Sequence, residues 1–329
     1  MKIAVLANTD RQAQVFKTVH IEKLKRFGEV ILNNNFEGPD KDTAAVLLKD
    51  ADIAITSWNC PKLTASVLDS APNLRLVLHA AGSVKGIVSD DMWERGIRIS
   101  NAAAALGKGV AETALGFTIS SLKNFWNLSN VTRFGGWNGH NDTVREIYDV
   151  IIGVIGAGYA GKHFIKLLQH FDVDVLLYDP TLDEQQCQAM GAKKTELDSL
   201  MMNSDVISIH APSIPKTRHL INAVNLSLMK DRAVLINTAR GTIIDEAALI
   251  SELKLGRISA CIDVTDPEPP SEFNELRDLP NVILTPHIAG SVSNGKKRIG
   301  DLIIEELTTF LADGSLQYEI KPEKLSILA

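Results

Sequence analysis

Short apolar runs rich in β-branched residues alternate along this chain with longer stretches in which apolar side chains return every three or four positions, the spacing of one helix face. The N-terminal part predicts strands at Lys2–Ala7, Ile53–Thr56, Leu74–Leu78 and Ile97–Ser100, separated by charged, amphipathic stretches such as His20–Phe27. From Asp149 a second series begins, with strands expected at Val150–Ile155, Val173–Tyr178, Val206–His210, Ala233–Asn237, Ile258–Asp263 and Val282–Thr285. Strands that alternate with helices build parallel sheets covered on both faces, so the expected class is α/β with two doubly wound domains.

Between the two series, Leu115, Ile119, Leu122 and Trp126 recur along one helical face and predict a single long helix. Its apolar stripe serves either the core or a contact between subunits. A glycine-rich stretch, Arg133–Gly139, follows and carries Phe134 and Trp137. Near the other end, Ile299, Leu302, Ile303, Leu307 and Leu311 predict a helix over Lys296–Leu311 that stops near Asp313-Gly314. That helix is expected to return to the first domain. Residues 1–101 and 290–329 would then form one discontinuous domain around an inserted domain of residues 102–289.

Length and composition narrow the class. At roughly 150 residues per domain, 329 residues make about two domains. The 34 Lys and Arg against 40 Asp and Glu give a net charge of -6, which lacks the basic footprint of a nucleic-acid partner. Cys60, Cys187 and Cys261 lie far apart, without metal-site or disulfide-framework spacing. The apolar stretch within Met1–Asp10 is too short for a signal peptide. The most apolar run, Val150–Gly161, is about a dozen residues and broken by Gly153, Gly156 and Gly158, too short to cross a bilayer. The expectation is a cytoplasmic protein with no metal and no membrane contact.

Gly156, Gly158 and Gly161 make a GxGxxG pattern directly after an apolar strand. The first glycine permits a tight turn, the second lets backbone approach a pyrophosphate, and the third lets the next helix pack on the strand. The pyrophosphate would face amide groups at the positive end of a helix continuing through His163–Gln169. A second strand, Val173–Tyr178, ends at Asp179, placed to accept hydrogen bonds from ribose hydroxyls and to repel a 2′-phosphate. Six strands with intervening helices is also the count of a Rossmann domain, so NAD is the expected cofactor.

Three later segments place polar groups where strands of that sheet should end: Asn237–Gly241, Asp263–Pro269 and Thr285–Gly290. Ligands of open α/β sheets bind at those carboxyl ends, which brings an Arg, a Glu and a His into one neighbourhood. Here the chain resembles the D-isomer-specific 2-hydroxyacid dehydrogenases over nearly its whole length. The resemblance rests on the glycine fingerprint with Asp179, the His210-Ala211-Pro212 turn followed by Thr217–Asn222, the Asn237–Gly241 run, Asp263 with Glu268, and Pro286-His287. It implies a flavodoxin-like substrate domain with an inserted Rossmann NAD-binding domain. It also implies a catalytic trio of Arg240, Glu268 and His287. Cofactor contacts would come from Gly156, Ala157, Gly158, Tyr159, Ala160, Gly161, Asp179, His210, Ala211, Pro212 and Thr217, and from Thr238, Ala239, Arg240, Asp263, His287 and Gly290. Asp263 would direct its carboxylate toward the nicotinamide carboxamide.

The chemistry of the trio supports the same roles. A guanidinium such as Arg240 binds a planar carboxylate by a charge-assisted fork and polarises a neighbouring ketone oxygen. His287 can supply the proton that this oxygen needs, and Glu268 beside it favours the imidazolium. The expected activity interconverts a small 2-keto acid and its D-2-hydroxy acid, with glyoxylate, hydroxypyruvate and pyruvate-like compounds as candidates. Two alternatives stand beside it: a dinucleotide-sensing, corepressor-like binding protein, and a dehydrogenase of another small anion such as phosphite. Formate enzymes carry a Gln where this chain has Glu268.

On the substrate side, the family implies backbone amides in the stretch Leu78–Ile87, here from Gly82 and Ser83, besides Arg240 and His287. Many relatives have an Arg near the position of Ala80 and an Asp or Asn near Gly86, which leaves the particular hydroxy acid open. Lys85 is either a replacement positive charge or a solvated surface residue, and Trp137 either closes over a ligand or packs between subunits. The sequence ends at Ala329, so the regulatory domain of some phosphoglycerate dehydrogenases is expected to be absent. The resemblance and the apolar helix together imply a homodimer.

Overall fold

In the computed structural model, which describes residues 1–137, 143–290 and 292–327, the helices and strands sort into two units. One holds Met1–Leu106 with Ser291–Ala329, the other Gly107–Gly290. The first unit opens with β1 (Lys2–Val5), β2 (Glu29–Leu32), β3 (Ile53–Thr56), β4 (Leu76–His79) and β5 (Arg98–Asn101). The second contains β6 (Val150–Ile155), β7 (Val173–Tyr178), β8 (Lys193–Lys194), β9 (Val206–Ile209), β10 (Val234–Asn237), β11 (Ser259–Ile262) and β12 (Val282–Leu284). The chain then returns to the first unit, where β13 (Glu319–Ile320) is its last strand.

The first sheet has the order β2-β1-β3-β4-β5-β13, parallel except for β13 against β5. Its parallel part is the flavodoxin-like order, with the direction of winding reversing between β1 and β3. Alternate residues feed opposite cores because strand side chains alternate across the sheet. Ile3, Val5, Ile53, Ile55, Leu76 and Leu78 pack with Leu24, Ile299, Ile303 and Leu307 from the helices Thr18–Phe27 and Lys297–Asp313. Ala4, Ala54, Val77 and Ile99 face the other way, against Leu48, Val67, Leu68 and Met92. Both faces are covered, which is why these strands read as unbroken apolar runs.

The second sheet is parallel throughout, in the order β12-β11-β10-β9-β6-β7-β8. Counted from β6, that is the Rossmann order with one strand added beyond β11. Ile152, Val154, Val175 and Leu177 pack with Phe164, Ile165 and Leu168 on one face, together with Ala111, Ala114 and Phe117. Ile155, Ile207, Ile209 and Leu235 meet Leu200, Leu249 and Leu253 on the other.

Three strands lie outside the sequence expectation. β8 and β13 are two residues long, and β8 is a pair of exposed lysines at a sheet edge, so neither carries an apolar pattern. β2 follows the helix Thr18–Phe27 after the single residue Gly28, too close for the punctuation that usually separates elements. The long helix also differs. It runs Ala103–Leu122 and stops at Asn124, whose left-handed backbone (φ 53°) starts a separate helix, Phe125–Arg133. Leu115, Leu122 and Trp126 pack into the second unit's core, so that stripe is core. Among the described residues no helix is long and apolar enough to cross a membrane.

Candidate active site

Chemistry-bearing residues of the second unit gather after the carboxyl ends of β6, β7, β9, β10, β11 and β12. At the reversal between β6 and β9, Gly156 has φ 92°, and a Cβ there would stand 2.8 Å from the backbone of Ala211. Only glycine suits both demands. A Cβ at Gly161 would collide with the carbonyl oxygen of Gly156, which fixes the helix Tyr159–Leu168 tightly on the turn. At Gly158 a Cβ would meet nothing, and this residue caps the helix without any side-chain acceptor. The first amides of that helix are therefore offered outward, in the arrangement that attracts phosphate.

Asp179, just past β7, belongs to the same turn. Its Oδ2 accepts the Ala157 N–H at 2.8 Å, and its Oδ1 accepts the N–H and hydroxyl of Thr181 at 2.9 and 2.6 Å. His210 is buried after β9, with Nε2 3.0 Å from Ser208 Oγ and its ring against Phe164. Burial pushes this imidazole down to about 4, so the ring is neutral. Its Nδ1 and the buried Thr238 Oγ1 have no hydrogen-bond partner among the described residues. Buried polar atoms rarely stay unpaired. An uncapped helix start, an acid on the glycine turn and two orphaned polar atoms in one region fit a dinucleotide.

The trio is partly assembled by direct contact. Nδ1 of His287 lies 2.5 Å from Oε1 of Glu268. Both side chains are about half exposed, and Nε2 of His287 carries no protein partner among the described residues. Arg240 follows β10 and is exposed, with Nη1 donating to the Ala239 carbonyl at 2.6 Å. Gly241 then lies against the loop that carries Glu268: a Cβ there would strike the Thr265 carbonyl carbon and stand 2.6 Å from the Asp266 nitrogen.

The Asp263 carboxylate reaches the segment after β12: Oδ1 accepts Thr285 Oγ1 at 2.5 Å and Ile288 N at 2.9 Å, and Oδ2 accepts Ala289 N at 2.8 Å. Thr217 spends its hydroxyl within its own turn, on the carbonyls of Pro212 and Ile214. Gly290 closes the unit beside Ala289, whose carbonyl accepts the Thr113 hydroxyl. Asn237, which the sequence names only as the start of its run, shapes the turn that presents the guanidinium: its Oδ1 accepts Ala239 N and its Nδ2 donates to the Arg240 carbonyl. A buried Asn closing a strand was the available signal.

In the first unit, Gly82 and Ser83 follow β4 in a partly exposed turn. Gly82 accepts from Asn101 Nδ2 at 2.6 Å. His79, missed by sequence, ties this turn to β3 through Thr56 Oγ1 and the Ser83 backbone, and burial pushes its imidazole down to about 4. Lys85 is exposed, as are Phe134 and Trp137 (92% and 86%) in the second unit. Asn138 and Gly139 of the glycine-rich stretch lie outside the described residues.

The family model described as "D-isomer specific 2-hydroxyacid dehydrogenase, NAD binding domain" matches residues 115–289. The chain belongs to the D-isomer specific 2-hydroxyacid dehydrogenase family. It is 32% identical over 293 residues to a D-3-phosphoglycerate dehydrogenase of Methanocaldococcus jannaschii, covering 88% of this chain and 55% of that protein. Over 271 residues it is 30% identical to a hydroxypyruvate reductase of Thermotoga maritima, covering 82% and 87%. A solved structure of D-2-hydroxyisocaproate dehydrogenase matches with a TM-score of 0.76 at 26% identity, covering 97% of this chain and 99% of that one. The chain thus spans about half the length of the phosphoglycerate dehydrogenase.

Proposed function

We propose that this protein interconverts a small 2-keto acid and its D-2-hydroxy acid with NAD. The observation that carries the reading is the 2.5 Å contact between His287 Nδ1 and Glu268 Oε1. A carboxylate on one ring nitrogen orients the imidazole and leaves Nε2 to exchange a proton with substrate. Bound NADH would supply hydride to C2 in reduction, and bound NAD would accept it in oxidation.

Arg240 holds the substrate carboxylate and polarises the ketone oxygen. As C2 gains hydride, that oxygen takes the Nε2 proton of His287, and the ketone becomes an alcohol. In the oxidative direction His287 takes the proton back. Gly156, Gly158 and Gly161 would hold the pyrophosphate at the helix start, Asp179 would receive the adenosine ribose, and Thr238 and His210 would offer polar atoms that lack partners among the described residues.

The names of the relatives make glyoxylate and hydroxypyruvate the first substrates to try. The test is NADH consumption by the purified chain with a panel of 2-keto acids, followed by chiral analysis of the products other than glycolate, which is achiral. Turnover is expected, and to the D-hydroxy acid wherever C2 becomes a stereocentre. Tight NADH binding with no turnover on any keto acid would favour a dinucleotide sensor instead. We read the assembly as a homodimer, with the helix Phe125–Arg133, which has no buried side chain and exposes Phe125, as open surface. Sedimentation as a monomer at micromolar concentration contradicts this.

A further inference from the structure

We propose that Arg11 and Lys296 form an anion subsite at the winding reversal of the first sheet, and that the substrate is a 2-keto acid whose far end carries a second acidic group, a carboxylate or a phosphate. The inference rests on the dehydrogenase reading above and on Gly82 and Ser83 as substrate amides, and it names the substrate class.

The first sheet reverses its winding between β1 and β3, and open α/β sheets take ligands at the carboxyl ends of the strands where that happens. Here β1 runs into the helix Thr9–Val15, whose Val15 packs on one face of the sheet, while β3 runs through Leu63 into the helix Ala65–Leu68 on the other. Arg11 and Trp58 stand on these two diverging segments and meet. The Arg11 guanidinium lies over the Trp58 ring, 5.5 Å from its centroid, and its Nη1 donates to Gln14 Oε1 at 2.9 Å. Lys296, which opens the helix Lys297–Asp313 of the same unit, donates to that same oxygen from Nζ at 2.7 Å. All four side chains are half-buried.

Two cations thus share one neutral acceptor. Gln14 turns its amide nitrogen to the exposed Asp10, at 2.7 Å, and among the described residues neither Arg11 nor Lys296 forms an ion pair. Partial burial and the charge of Arg11 hold the Lys296 ammonium below its usual range, with the charge of Asp10 opposing. Like charges gathered where water is thinned carry a free-energy cost that a bound anion offsets. Stacking on Trp58 fixes the plane of the guanidinium, whose remaining N–H groups can fork onto a carboxylate or a phosphate.

The position of the pair selects the far end of the substrate. β3 and β4 are paired neighbours with Thr56 opposite His79, and Ser57 Oγ donates to the Ala80 carbonyl at 3.2 Å. Neighbouring strands lie about 5 Å apart, so the Trp58 end of β3 is one strand spacing from the segment that continues into Gly82 and Ser83. A keto acid with its first carboxylate on those amides needs only a short chain to bring a second acidic group to the cations. An uncharged end leaves them unpaired.

The test uses the full-length chain and reads kcat/KM for 2-ketoglutarate against 2-ketovalerate and for 3-phosphohydroxypyruvate against hydroxypyruvate. Each ratio is taken within one protein, so a general loss of activity cancels. A hydrogen bond to a charged group changes binding by about 10-fold or more, so wild type is expected to favour one charged-end acid by at least about 10-fold, and the pair that shows it tells carboxylate from phosphate. The double variant Arg11→Gln, Lys296→Gln is expected to bring that ratio to roughly 1, as is Gln14→Glu, which sets a fixed carboxylate between the cations. Thermal melting checks folding, and Gln14→Glu, which keeps both cations, decides alone should the double variant not fold. No preference in wild type overturns the subsite, and so does a preference that the variants keep. Absence of turnover on every keto acid overturns the dehydrogenase reading instead. Calorimetric titration with inorganic phosphate and with succinate then decides the subsite: binding by wild type that the double variant or Gln14→Glu loses supports it, and equal behaviour overturns it.

Discussion

The backbone N–H of Ala157 donates to Oδ2 of Asp179 over 2.8 Å, joining two residues 22 positions apart. The acid after β7 and the glycine turn after β6 are thereby one hydrogen-bonded unit. Thr181 completes it by occupying the other carboxylate oxygen. Asp179→Ala removes the carboxylate from the turn and from the ribose that it is proposed to receive. Hydrogen bonds to a charged group contribute about 1.5–3 kcal/mol each, so NADH affinity should fall by at least about 10-fold, with weaker discrimination against NADPH. Fluorescence titration of both coenzymes measures this, and an unchanged preference for NADH contradicts the assignment.

Gly161 and Gly158 separate packing from ligand approach. Gly161→Ala forces a methyl into the Gly156 carbonyl, and overpacking of this kind costs about 1–3 kcal/mol. A lower melting temperature for the second unit is expected together with weaker NADH binding. Gly158→Ala places its methyl in open space, so folding should be little affected while NADH binding weakens. Equal melting temperatures for the two variants would remove this distinction.

His287→Ala should cost about 10²–10⁴-fold in turnover, the usual range for loss of a positioned acid or base. Glu268→Gln keeps the shape of the 2.5 Å contact but removes its charge. The ring loses the charged acceptor that orients it, so kcat should fall about 10-fold or more while NADH affinity stays near wild type. A kcat equal to that of wild type takes Glu268 out of its role.

The buried His210 binds a proton only near pH 4 in the folded protein, against 6.5 for an ordinary imidazole, because burial excludes the water that would stabilise its charge. Between those values the unfolded chain holds the extra proton, and stability falls as pH drops through 6.5 toward 4, by about 1.4 kcal/mol per pH unit. Above the window this ring costs nothing. His79, also pushed to about 4 by burial, acts in the same sense on the first unit. His210→Asn should flatten the fall in urea midpoint of the second unit between about pH 7 and pH 5. An equally steep fall in that variant removes His210 as its source.

The parts legible in the sequence are those whose physics is local. A glycine turn, a following helix and an acid at the next strand end each leave their residue types at fixed offsets, so Gly156, Gly158, Gly161 and Asp179 could be read in order. Glu268 and His287 were legible because each follows a strand. The backbone-holding contacts of Asn237 and Thr285 were not, since a residue that holds its neighbour's backbone leaves no spacing signature. The helix break at Asn124 was invisible for a related reason: neither Gly nor Pro marks it, only an Asn that tolerates left-handed backbone. The apolar stripe of Leu115, Leu122 and Trp126 was legible as a stripe, but what it packs against was a question of tertiary structure.

Gly241 closes one route to remaking this protein. With the Thr265–Asp266 backbone pressed where its side chain would be, every non-glycine codon at this position wedges two loops apart. A library built around Arg240 to change substrate choice should therefore hold position 241 fixed and spend its diversity on neighbours that face solvent.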